Sequence, residues 1–117
     1  MEEIDISELI CPVKYTLNTL GGKWKLKVLW QLNGQECIRF NELQRRLDGI
    51  STVVLKRTLQ ELEYSEIVHR EQYNEVPPRV EYSLTPLGHD LLPVFNAMAE
   101  WAEKNNANQF GNIHRFV

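Results

Sequence analysis

The sequence contains no apolar run long enough to span a bilayer, so a chain built of membrane-crossing helices is excluded. It has only two cysteines, Cys11 and Cys37, too few and too far apart for a metal knuckle or a disulfide framework. His69, His89 and His114 share no ligand spacing with one another or with the cysteines, which argues against a metal site. No glycine-rich loop is built to cradle phosphate, and no carboxylate pair is spaced for acid–base work. No nucleophile stands near a base at a recognisable spacing, so neither an enzyme nor a cofactor is expected. Excess positive charge is missing too: 13 Lys and Arg against 16 Asp and Glu give −3 at pH 7. That overall charge is only a weak veto on nucleic acid, and it predicts modest non-specific affinity for DNA.

What is present is ordinary globular material. At 117 residues, 43% hydrophobic and 25% charged, the chain reads as one domain, 1–117. The acidic start MEEIDISE is unlike a signal or transit peptide, and with the sparse cysteines it leads to the expectation of a cytoplasmic protein with no membrane partner. Charge is unevenly spread. Glu2, Glu3, Asp5 and Glu8 open the chain, whereas residues 10–30 hold Lys14, Lys23, Lys25 and Lys27 and no acid.

The stretch that organises the chain runs from Phe40 to Thr85. Phe40, Leu43 and Leu47 recur at helical spacing, and Asp48-Gly49 stops that helix because glycine takes the left-handed conformation without strain. Ser51 is a preferred N-cap for a second helix, in which Leu55, Leu59 and Leu62 fall on one face. Val53, Lys56, Arg57 and Gln60 point the other way. Two strands follow, 67–73 and 79–84, the second alternating Val80, Tyr82 and Leu84, with Pro77-Pro78 at the turn between them. Residues 36–40 are a candidate third strand. Helix, tight turn, helix and two-stranded wing in that order define a winged helix-turn-helix, mainly α with a small antiparallel sheet. Its reading part is 39–85.

On either side lie supporting elements. Cys11-Pro12 opens a helix that ends at Gly21-Gly22, with Val13, Leu17 and Leu20 as its buried face. The next carries Trp24, Val28, Leu29 and Leu32, with Lys23, Lys25 and Lys27 as its solvated side. Thr85-Pro86 caps a last helix striped by Leu87, Leu91, Phe95, Met98 and Trp101, with a kink expected at Pro93. That stripe exceeds what so small a domain covers by itself, and a homodimer through 1–22 and 86–104 is the expected remedy. Residues 105–117 are expected to be a loosely ordered tail.

With these residues laid out, the chain resembles the HxlR-type family of bacterial winged-helix transcriptional regulators, relatives of the MarR type. The matching pieces are CPVKYTLNTLGGKWKLKVLWQL at 11–32, RFNELQRRLDGIS at 39–51, LKRTLQELE at 55–63 and VPPRVEYSLTPLGHDLLPV at 76–94. The resemblance implies a homodimer joined by its terminal helices that binds a pseudo-palindromic operator in double-stranded DNA as repressor or activator. In several members the cysteine aligned with Cys11 senses electrophiles, quinones, aldehydes or oxidants. One departure stands out: Glu66 occupies the place where the family usually has glycine, so the turn at 64–66 and the wing angle are open.

The DNA-contact candidates are Ser51, Thr52, Val53, Lys56, Arg57 and Gln60, with Arg79 on the wing. An Arg offers a donor fork suited to guanine or phosphate, and Thr52 or Val53 suits a thymine methyl. The plainer reading is a solvated helix face. Arg79 reaches phosphate or the minor groove, or else pairs with Glu75 or Glu81; Arg45 and Arg46 read as positioning charges or surface. Cys11, at a helix N-terminus with Lys14 one turn on, is the redox-sensing candidate; its other reading is a packing residue, as is that of Cys37. Two further functional readings stay open: a regulator switched by a reversible small ligand near the dimer helices, and a winged-helix protein-interaction module that binds no DNA.

Overall fold

The computed structural model describes residues 11–106. The readings of 1–10 and 107–117 lie outside that range.

Helix α1 (Pro12–Leu20) starts as expected, with Cys11 extended at the N-cap and Pro12 in the first turn, where its missing N–H costs nothing. Its burial is different from the expectation. Leu20 is buried, but Val13 and Leu17 are 67% and 65% exposed, because among the described residues nothing covers the first two turns. Helix α2 (Lys25–Leu32) drives Val28, Leu29 and Leu32 into the centre of the core. Lys25 does not belong to a solvated side. Its ammonium donates to the Thr19 carbonyl at 3.1 Å and pairs with Glu61 at 3.5 Å, so its stem fills the space between α1 and the long helix.

Strand β1 is only Ile38–Arg39, shorter than the expected 36–40 because Phe40 already opens α3 (Phe40–Arg46). Gly49, at φ +89°, makes the turn into α4 (Thr52–Tyr64). The Ser51 hydroxyl accepts from the Val54 N–H at 3.1 Å, which confirms the predicted cap. Leu55, Leu59 and Leu62 are buried against α2 and the sheet. Strands β2 (Val68–Tyr73) and β3 (Arg79–Leu84) form the wing, and the antiparallel order β1-β3-β2 places Tyr82 between Ile38 and Arg70.

The junction of α4 and β2 is where the glycine is replaced. Glu66 takes φ +63°, the Ile67 N–H bonds to the Leu62 carbonyl at 3.0 Å and the Glu66 N–H to Glu63 at 2.9 Å. This is a Schellman end, with buried Leu62 and Ile67 as its apolar pair. The wing is therefore launched as a glycine would launch it, at a steric cost of about 1–2 kcal/mol for a β-carbon in the left-handed region. Glu66→Gly removes that strain but adds unfolded-state freedom, so a net gain of roughly 0.5–1 kcal/mol is expected in urea melts. A loss of stability would refute this account of the junction.

The expected single C-terminal helix is broken into two. Helix α5 (Pro86–His89) is one turn, capped by Thr85 accepting from the Gly88 N–H at 3.1 Å. Helix α6 (Leu92–Asn105) follows, with Pro93 in its first turn rather than at an internal kink. A proline there forfeits no helical hydrogen bond, so it starts the second helix instead of bending the first. Gly88 lies so close under β2 that a Cβ would stand 2.5 Å from the Ile67 carbonyl oxygen. Phe95 is the one buried residue of α6, while Val94, Met98 and Trp101 remain exposed.

Candidate nucleic-acid interface

The outer face of α4 is assembled by the packing of its inner face. With three leucines locked in the core and the first turn capped, Val53, Lys56, Arg57 and Gln60 project together from the opposite side. All four are exposed, Val53 by 72%. Among the described residues, neither Lys56 nor Arg57 is engaged in an ion pair, in contrast to Arg39, Arg45, Arg46 and Arg79. Glu61, the first acid of the helix, is neutralised by Lys25. The leading half of α4 thus presents two free cations, an apolar Val and an amide, which is a donor set for base edges and phosphates.

Ser51 and Thr52, also exposed, are occupied otherwise. Ser51 caps the helix, and the Thr52 hydroxyl accepts from the Gln44 amide at 3.1 Å. Gln44 donates as well to the Ile50 carbonyl at 3.3 Å, fixing α3 to the start of α4. Sequence reasoning missed Gln44, since nothing in its spacing distinguishes it from a solvated polar position.

The structure shows Arg79 in the ion-pair arrangement. Its guanidinium lies 3.2 Å from Glu75 and 3.5 Å from Glu81, and stacks 4.0 Å above the Tyr73 ring. Arg39 also approaches Glu81, at 3.8 Å. Arg45 and Arg46 both pair with Glu42 within α3. Arg79 and Arg39 are therefore held by wing carboxylates, whereas Lys56 and Arg57 on α4 are not.

Cys11 is half-buried at the N-cap of α1 and makes no side-chain capping bond, with Lys14 exposed one turn on. Cys37 lies just before β1, exposed, its thiol donating to Glu81 Oε1 at 3.3 Å. That hydrogen bond, then desolvation and the negative charge of Glu81, raise the Cys37 pKa above its ordinary value. The thiolate fraction at neutral pH falls accordingly. In a Cys11→Ser background, iodoacetamide should alkylate Cys37 with an inflection above that of a free thiol, and Glu81→Gln should lower it. An unchanged inflection in Glu81→Gln would show that the carboxylate does not control this thiol. No group of three or more His, Cys, Asp or Glu among the described residues is placed to hold a metal. No described helix is long and apolar enough to cross a membrane.

A capped, core-locked helix with an open cationic face, preceded by a tight turn and followed by a three-stranded wing, defines a winged helix-turn-helix transcriptional regulator. The HxlR-like helix-turn-helix family model matches residues 19–110, and the chain belongs to that family. A putative regulatory protein MalR from Fusobacterium mortiferum is 42% identical over 95 residues, covering 81% of this chain and 90% of that protein. A putative transcriptional regulator of the MarR family from Porphyromonas gingivalis superposes with a TM-score of 0.76 at 40% identity, over 89% of this chain and 99% of that one. The redox regulator HypR in its oxidized form superposes with a TM-score of 0.72 at 42% identity, over 92% of this chain and all of the other.

Proposed function

We propose that this regulator binds a two-part operator as a homodimer, with α4 of each protomer in the major groove and its wing alongside. The open, unpaired Val53–Lys56–Arg57–Gln60 face carries the reading. Residues 39–85 form the reading part, and 1–22 with 86–104 join the protomers, in the cytoplasm. Support for the dimer comes from the exposed apolar side chains of α1 and α6, which the described residues leave bare. Arg79, held by two carboxylates, serves the wing's shape more than contact with DNA. The test is anisotropy binding to duplexes from the protein's own promoter region in excess competitor DNA. Failure to prefer any promoter duplex over competitor would favour the interaction-module reading.

A redox response through Cys11 is supported by its place at the N-cap of a helix assigned to the dimer, and by the similarity to a redox regulator. An adduct there would alter the separation of the two reading helices, and paired half-sites tolerate little change. Diamide should change operator affinity of the wild type and of Cys37→Ser, and leave Cys11→Ser unaffected. Equal responses in all three would remove Cys11 from the switch.

A further inference from the structure

Lys25 is the first residue of α2, and its side chain lies between α1 and α4. The first turn of α2 contains no acid, so a lysine there stands against the positive end of the helix dipole and weakens the helix that it opens. Its place is explained by its partners instead. The side chain is 17% exposed, with the ammonium donating to the Thr19 carbonyl at 3.1 Å and pairing with Glu61 at 3.5 Å. Glu61 shares α4 with Arg57, one helical turn earlier. Residues so spaced are neighbours on a helix surface, close enough for carboxylate and guanidinium to pair. Arg57, Gln60, Glu61 and Tyr64 do line one groove together with Lys25. Yet Arg57 is exposed and, among the described residues, forms no ion pair, because the Glu61 carboxylate is turned to Lys25.

We infer that Lys25 is a positioning residue for DNA reading: by holding Glu61 from α2 it keeps the Arg57 guanidinium unpaired on the open face of α4. The inference rests on the reading role proposed for α4 and names what keeps its arginine available. With the charge of Lys25 removed, two effects act in the same direction. The Glu61 carboxylate is left to pair with Arg57, so the guanidinium has to be released before it meets a base or a phosphate, and the uncompensated negative charge repels the DNA backbone. A pair at a half-exposed surface is weak, so the loss is moderate and not complete.

The test combines operator anisotropy on the full chain with the Nε–Hε NMR signal of Arg57, assigned by its loss in Arg57→Lys. Lys25→Met should lower operator affinity by roughly threefold or more, and Lys25→Arg, which keeps the charge, should recover most of that loss. Adding Glu61→Gln to Lys25→Met should restore binding, with a larger gain there than the same substitution gives in the wild type. In an Arg57→Ala chain, Lys25→Met should cost less than about twofold further, since its effect runs through Arg57. In the free protein the Arg57 Hε should exchange with water more slowly in Lys25→Met than in wild type, and the difference should vanish in Lys25→Met/Glu61→Gln. Thermal melting checks each fold, and Lys25→Gln, which retains a donor for the Thr19 carbonyl, takes the place of Lys25→Met if the latter melts early. Equal losses from Lys25→Met with and without Arg57, or no recovery on adding Glu61→Gln, would make Lys25 a general charge or a packing residue and overturn the inference. An unaltered Arg57 signal would overturn it too. If Arg57→Ala binds operator as wild type does while the NMR signal responds as expected, the reading role of α4 fails and the hold of Lys25 on Glu61 stands.

Discussion

Replacing Arg57 by Ala should cost about 1–3 kcal/mol of operator affinity, a loss of roughly 5- to 150-fold, with specificity relaxed at one base pair of each half-site. Arg57 stands on the open face of a helix whose other side is locked by Leu55, Leu59 and Leu62, so its Cα position is fixed by the core. Among the described residues no carboxylate pairs with it, so its donor fork is not already spent. Lys56 beside it is a point charge. Lys56→Ala should weaken all sequences alike and flatten the slope of log affinity against log salt by about one unit. Because neither side chain supports the core, both variants should melt as wild type does. Undiminished operator binding by the double variant would remove α4 from the reading role.

The second large effect concerns assembly. Leu17→Glu combined with Trp101→Glu should convert a dimer into a monomer at micromolar concentration, with operator affinity falling by about 10²–10⁴ as the second half-site ceases to be tethered. Leu17 is 65% and Trp101 68% exposed in the single chain, so charge at these positions costs the isolated fold little. In a dimer that buries them the same carboxylates would be stranded away from water. Large apolar side chains are worth about 1.5–3 kcal/mol each when fully buried, and twofold symmetry counts each of them twice. Val13 and Met98 are exposed as well. Sedimentation resolves the matter, and a wild type that sediments as a monomer would reject the arrangement.

The reading part was legible in the sequence because its signals are local. A Ser cap, a glycine turn, leucines at i, i+4 and i+7, and a two-residue alternation each act within one element, and each reappears in place. What was misread depends on partners distant in sequence. The periodicity of α1 marks Val13 and Leu17 as apolar, but periodicity cannot say whether the covering surface belongs to the same chain. Lys25 looked solvated because Glu61, its partner, lies on another helix. Pro93 is compatible with a kink or a first turn, and the break at Asp90 and Leu91 is decided by tertiary packing. For Arg79 both candidate acids were visible, yet only the folded wing shows that it reaches both at once.

The Thr85 hydroxyl, already seen as the cap of α5, also donates to the Glu66 carbonyl at 2.7 Å and lies 3.1 Å from that of Ile67. The backbone N–H of Thr85 bonds to Ile67 as well, at 3.0 Å. One residue thus pins together the end of the reading helix, the root of the wing and the start of the segment leading to α6. These parts have no slack between them, and the two arms that would grip DNA form a caliper with a welded jaw. In the proposed dimer the width of a half-site would then be set within each protomer, and any change in the accepted operator spacing would have to arise further along, where α6 departs from this joint.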